Sequence, residues 1–166
     1  MTRFHIVRSP SQIEVVVRLA REIWLEHYVP IIGREQVAYM LEKFQSAKAL
    51  ASQIDGEYDY YLAARDGRSV GYLAVVPDVP DATLLLSKIY VLSSERGHGV
   101  GKAMLQFAED LCRRRGIRSI WLTVNRSNSD SIAWYARMGF SNTGPIFQEI
   151  GGGFAMDDYR MEKAID

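Results

Sequence analysis

A glycine-rich turn constrains this chain more than any other stretch. From Leu84 to Arg115 the sequence reads as an apolar strand, a short polar turn, a loop with Gly97, Gly99 and Gly101 at alternate positions, and a long amphipathic helix. Glycine lacks the Cβ that would hold a ligand away, so successive backbone N–H groups can converge where the helix begins. A helix N-terminus carries unsatisfied donors and partial positive charge, and Arg96 and Lys102 add full charges at either edge. The ligand expected there is anionic and phosphorylated.

Spacing decides between phosphate loops. A Walker A loop would need Gly at Arg96 and Ser or Thr at Ala103, so Gly101-Lys102 is not that motif. A GxGxxG dinucleotide fingerprint fits Gly97 and Gly99 but meets Lys102 at the third glycine. The segment resembles the acetyl-CoA loop of the Gcn5-related N-acetyltransferases (GNAT): Arg or Gln, two residues, Gly, one residue, then Gly or Ala. Arg96, Gly99 and Gly101 meet that pattern, after a strand ending Ile89-Tyr90-Val91.

With 166 residues, 48% of them hydrophobic, the chain can bury a real core and is expected to form one domain over residues 1–166. Lys plus Arg equals Asp plus Glu at 20 each, which removes the basic excess that a nucleic-acid partner would favour. No window approaches the ~18 uninterrupted apolar residues of a membrane span, and Met1 to Ile6 lacks a leader pattern, so a soluble cytoplasmic protein is expected. Cys112 is the only cysteine, within a helical stripe, and reads as a core residue. His5, His27 and His98 have no metal-ligand spacing, so no metal is expected.

Along the chain, residues 3–8 alternate as a first strand, and Ser9-Pro10 with Gln12 starts a helix, with Ser11 and Glu14 as an alternative capping pair. Ile13, Val16, Val17, Ala20, Ile23, Trp24 and His27 form its apolar face, Pro30 stops it, and residues 33–45 carry a second helical stripe. Residues 58–65 and 69–77 form a hairpin around Asp66-Gly67-Arg68. Val79-Pro80-Asp81 is a turn, and residues 82–92 are a third strand leading into the glycine loop. The next helix ends at Arg113-Arg114-Arg115 and Gly116, basic side chains and glycine at the negative end. Residues 117–124 then return as a strand parallel to 82–92. Asn128 is a candidate N-cap for a short helix that Gly139 ends. Residues 140–143 and 154–163 are the last strands, separated by a mobile loop holding Gly151-Gly152-Gly153.

A second signature strengthens the resemblance. Asn128 and Tyr135 stand seven residues apart, near two helical turns, in NSDSIAWYARMGF. GNAT enzymes carry an asparagine that contacts the cofactor near its pantetheine arm and, seven later, a tyrosine close to the thioester sulfur. The resemblance implies the acyl-CoA N-acyltransferase fold: an α/β (α+β) chain with one mixed, mainly antiparallel twisted sheet of six to seven strands, helices on its faces, and a splayed strand pair that binds CoA. It implies acetyl-CoA as cosubstrate, bound by the backbone of Ile89, Tyr90 and Val91, by Arg96, Gly97, His98, Gly99, Val100, Gly101 and Lys102 around the pyrophosphate, and by Asn128 and Tyr135. The reaction implied is attack of a neutral amine on the thioester carbonyl with loss of a thiol. An alkylammonium of pKa about 10.4 is neutral in only about one molecule per thousand near pH 7.4, so a base is needed, and a phenol near 10 can reprotonate the leaving thiolate. Tyr135 is the candidate general acid.

Some relatives place a glutamate on the strand before the asparagine, where this chain has Thr123. Base candidates are Glu26, Glu57, Asp59, Asp157 and Asp158, alongside a water relay. Trp24, His27, Tyr28, Tyr39, Tyr60 and Phe154, interleaved with acidic residues, make the expected acceptor segments aromatic and suit a small cationic amine such as a polyamine; ordinary core packing is the competing account. Acetylation of protein N-termini or lysines, and a non-catalytic acyl-CoA-binding regulator, are the alternatives. The expected partner is a small-molecule amine, with no nucleic acid and no membrane, and a homodimer is left open.

Overall fold

The computed structural model describes residues 1–78 and 80–166. Strand β1, Thr2–Ile6, leads into helix α1, Pro10–His27. The helix starts in the Ser9 register: Gln12 N donates to Ser9 Oγ at 3.2 Å and Ser9 N to Gln12 Oε1 at 3.0 Å, with Pro10 in the first turn, where its missing N–H costs no bond. It ends at His27, ahead of Pro30. That proline instead opens a one-turn helix, α2, Val29–Ile32. Helix α3, Arg34–Phe44, carries the second stripe, and α4, Ala47–Asp55, was not expected; Ser46 caps it through Ala49 N at 3.2 Å.

Strands β2, Asp59–Arg65, and β3, Arg68–Asp78, pair antiparallel around Asp66-Gly67 alone. Both turn residues have positive φ, 53° and 76°, which matches the right-handed twist of the strands. The proposed Val79-Pro80-Asp81 turn includes Val79, which lies outside the described residues. Strand β4, Thr83–Val91, a single 3-10 turn at Ser93–Glu95 and helix α5, Val100–Arg115, follow as expected, and α5 stops at Gly116 with φ 70°. Strand β5 is Ser119–Asn125, helix α6 is Ser129–Arg137, and β6, Ser141–Gly151, and β7, Phe154–Ala164, close the chain.

The strands form one seven-stranded sheet in the order β1-β2-β3-β4-β5-β7-β6, mixed because β4 and β5 run parallel while the β1–β2, β2–β3, β5–β7 and β6–β7 ladders are antiparallel. The parallel ladder is short, from Thr83↔Ser119 to Leu85↔Trp121, whereas β4 runs on to Val91 and β5 to Asn125. Residues 144–150, expected as loop, are strand. Gly144-Pro145 reads as a break, but β6 is the edge strand, where proline removes no second ladder bond, and the connection to β7 is the tight turn Gly152-Gly153.

The chain divides into two compact units, residues Met1–Val76 with Leu86–Ala108 and residues Pro77–Leu85 with Glu109–Asp166. In the first, Phe107 of α5 stacks on Phe4 at 4.3 Å and meets Tyr61 edge-on at 4.9 Å, which fixes the helix behind the glycine loop against β1 and β2. In the second, Ile120, Leu122 and Val124 of β5 and Met161 of β7 are buried. Trp121, Thr123 and Asn125 alternate onto the other face, shared by their ladder partners Glu162, Arg160 and Asp158. Among the described residues no helix is long and apolar enough to cross a membrane.

Candidate functional site

The glycine loop is held from behind. Glu95, the last residue before Arg96, is buried and accepts from Arg65 Nη1 at 3.0 Å and from Arg68 Nη2 at 2.9 Å, both on the β2–β3 hairpin. Gly97 and Gly99 have φ of 84° and 78°, a conformation that excludes most side chains, and a Cβ at either would meet nothing within 4 Å. Helix α5 begins at once, with Ala103 N donating to Gly99 O at 3.0 Å, so Gly101 and Lys102 lie in its first turn, whose N–H groups have no partner within the helix. Open space over the backbone at Gly97 and Gly99, first-turn donors and the cations of Arg96 and Lys102 suit a pyrophosphate such as that of CoA.

Gly71 on β3, which faces β4, had no signal in the sequence. A Cβ there would lie 2.4 Å from Tyr90 O and 3.2 Å from Val91 Cα, so β3 approaches β4 more closely than any side chain permits, and Leu92 N donates to Val70 O at 2.9 Å beside that contact. The Tyr90 hydroxyl bonds that of Tyr28 at 3.0 Å, and its ring packs edge-on to Trp24. Lys88, half-buried on the same strand, donates to Ser87 Oγ at 2.8 Å, and desolvation lowers its ammonium to about 8.

In the second unit β5 ends in a tight reversal. Asn128 N donates to Asn125 O at 2.9 Å, Ser127 N to Asn125 Oδ1 at 2.9 Å, and Arg126 N to Asp157 O at 3.1 Å. Asn128 stands at the N-cap position of α6, yet its side chain makes no capping bond to the helix and is only 4% exposed. The N-cap expectation thus holds for the position, where Ile132 N donates to Asn128 O at 3.1 Å, and is corrected for the side chain, which makes no capping bond. Tyr135, 9% exposed, lies on the buried side of α6 against the Phe140 ring.

The remaining candidates separate by burial. Asp157 is exposed and paired with Arg126 at 3.1 Å, and Glu26 and Glu57 are exposed. Asp158 is only 5% exposed; burial raises its carboxyl to about 6, against a hydrogen bond from Thr123 that favours the charged form, and with the nearby Asp157 charge adding to the rise. Trp24 and Tyr60 leave the acceptor list for the core. Trp24 Nε1 donates to Tyr72 Oη at 3.2 Å, Tyr72 to Gln45 Oε1 at 2.7 Å, Gln45 Nε2 to Tyr60 Oη at 3.1 Å and Tyr60 to Gln53 Oε1 at 2.6 Å, a satisfied buried chain whose two phenols desolvation holds well above their ordinary range. His27, Tyr28, Tyr39 and Phe154 stay partly exposed. Cys112 is buried in the core, as expected, and burial pushes its thiol up to about 11.

Comparison with known proteins points the same way. The Acetyltransferase (GNAT) family model matches residues 17–140. The chain is 35% identical over 85 residues to a streptothricin acetyltransferase of Streptomyces lavendulae, a stretch covering 51% of this chain and 45% of that protein. It is 27% identical over 137 residues to a spermidine N(1)-acetyltransferase of Thermoplasma acidophilum, covering 80% and 84% of the two chains. Its fold matches the crystal structure of the PaiA N-acetyltransferase of Thermoplasma acidophilum in complex with coenzyme A, with a TM-score of 0.80 over 99% of both chains at 22% identity.

Proposed function

The chain belongs to the acetyltransferase (GNAT) family, whose members use acetyl-CoA, and we propose that it acetylates a primary amine on a small molecule, a polyamine-like cation, by direct attack within a ternary complex. The observation that carries this reading is the pair of buried polar side chains along one short helix, Asn128 at its N-cap position and Tyr135 two turns later. A regulator that only bound acyl-CoA would need no phenol there.

Bound acetyl-CoA would supply an electrophilic thioester carbonyl and a thiol leaving group. Gly97 to Lys102 would hold its pyrophosphate through backbone donors and the two flanking cations. The backbone of Ile89, Tyr90 and Val91 would pair with the pantetheine arm, and Asn128 would bond it further along. Tyr135 would deliver its hydroxyl proton to the sulfur. For the acceptor, the similarity to a spermidine N(1)-acetyltransferase over most of the chain and the partly exposed rings of His27 and Tyr28 support a cationic amine, whereas Tyr39 already holds the Lys43 ammonium over its ring.

The test is thiol release from acetyl-CoA across spermidine, spermine, putrescine, an aminoglycoside, a lysine peptide and an alanyl N-terminal peptide. Turnover of the polyamines is expected. Turnover confined to the peptides would overturn the acceptor class, and a chain that binds CoA but turns over none would overturn the enzyme reading.

A further inference from the structure

Resting on the acetyl-transfer reading above, we infer that Asp158 is the general base that takes a proton from the acceptor ammonium. Asp158 is the ladder partner of Asn125, the last residue of β5, so its carboxylate stands at the reversal whose main-chain bonds lead directly to Asn128. It lies on the polar face of the β5–β7 ladder, away from Leu122 and Val124, and the Thr123 hydroxyl donates to it. Where β5 itself offers only a threonine, the neighbouring strand thus provides a carboxylate beside it. The sequence places two aspartates side by side, and strand alternation separates them: Asp157 points to solvent and Arg126, and Asp158 is buried.

Burial suits the role. A carboxyl near 6 instead of 3.8 binds a proton about a hundredfold more tightly yet remains ionised at neutral pH. The groups on its face are Thr123 and Asn125 on β5, Ile146 on β6 and Arg160 on its own strand, with the charge of the adjacent Asp157 on the opposite face; Arg160 is engaged with Glu162 at 2.6 Å and with the Trp121 ring at 4.1 Å. The protons balance. Of the three on the ammonium, one passes to Asp158 and on to solvent, one reaches sulfur by way of the Tyr135 hydroxyl, and one stays as the amide N–H, while the C–N bond forms and the C–S bond breaks.

The experiment measures kcat and kcat/KM against pH for the wild type, Asp158→Asn and Thr123→Val, with side-chain carboxyl ¹³C NMR titration of the same proteins without substrate. In the wild type, an acid limb near pH 6 in kcat/KM and a matching Asp158 titration are expected. Asp158→Asn should lower kcat about 10²- to 10⁴-fold and abolish the limb, with acetyl-CoA affinity unchanged. Thr123→Val removes a bond to the charged form, so limb and titration should move together to higher pH; this variant decides the matter if Asp158→Asn does not fold. Undiminished kcat in Asp158→Asn, or a limb that stays in place while the titration moves, overturns the assignment. A wild type that turns over no amine overturns the acetyl-transfer reading instead, even with Asp158 titrating near pH 6.

Discussion

Arg65 and Glu95, thirty residues apart, are joined at 3.0 Å, so the hairpin of β2 and β3 holds the residue that leads into the phosphate loop from behind. Glu95 is buried while Arg68, its second partner, is largely exposed, so the Arg65 contact is the stronger restraint. Glu95→Gln keeps the shape and removes the charge. It should cost on the order of 1–2 kcal/mol of stability in chemical denaturation. Calorimetric CoA affinity should fall roughly threefold to tenfold, because the loop loses its preset geometry. Unaltered affinity with lowered stability would show that the clamp serves the fold alone.

Gly71→Ala tests the close approach of β3 to β4. Its Cβ would sit 2.4 Å from the carbonyl oxygen of Tyr90, backbone that cannot swing aside as a side chain does. We expect about 1–3 kcal/mol of destabilisation from the forced backbone shift. CoA should bind more weakly as well, since the residues displaced, Tyr90 and Val91, are those proposed to pair with pantetheine. A stable variant with normal affinity would show that β4 accommodates the methyl without moving its outer edge.

Which parts of this molecule were legible in the sequence follows from the range of the forces involved. The glycine loop, the capping box at Ser9 and the Asp66-Gly67 turn are written in residues adjacent in the chain, and all three formed where expected. Helix α4 was missed because its alanine-rich run buries little beyond Leu50, leaving a faint stripe. Strand β6 was cut short at Gly144-Pro145 because its tolerance for proline comes from being at the sheet edge, a fact of topology. Gly71 was illegible, and Asp158 could be named only as one of five candidate carboxylates, for a related reason. One matters through an oxygen nineteen residues away, and the other is distinguished from Asp157 only by strand register. The aromatic acceptor list failed in part because burial cannot be read from aromaticity: Trp24 and Tyr60 are core.

Asp158 also makes a prediction about stability. Its folded pKa, about 6, lies above the ordinary 3.8, so the folded state binds the proton more tightly than the unfolded chain. Stability from this group is fully present below about pH 4 and is lost as pH rises through 6. Asp158→Asn, neutral at all pH, should therefore be more stable than the wild type at pH 8, by on the order of 1–2 kcal/mol once residual solvent screening is allowed for. That advantage should close between pH 6 and 4. Denaturant midpoints at pH 4, 6 and 8 would check it. An advantage independent of pH would mean that the gain comes from packing, without an ionisation.

Tyr135→Phe separates catalysis from binding. The substitution removes one oxygen from a side chain that packs against Phe140, so the ring contact and the helix should survive with a stability change below about 1 kcal/mol, as for loss of a single hydrogen bond. If the hydroxyl delivers the proton to the leaving sulfur, kcat should fall about 10²- to 10⁴-fold while the dissociation constants for acetyl-CoA and CoA stay close to wild type. The loss should be smaller with an acyl donor whose leaving thiol has a low pKa, because such a thiolate departs without needing the proton. Comparing aromatic and alkyl thioesters of the same acyl group would read that difference directly. An equal loss for both donors would assign Tyr135 to orienting the thioester, and an unchanged rate would remove it from the chemistry.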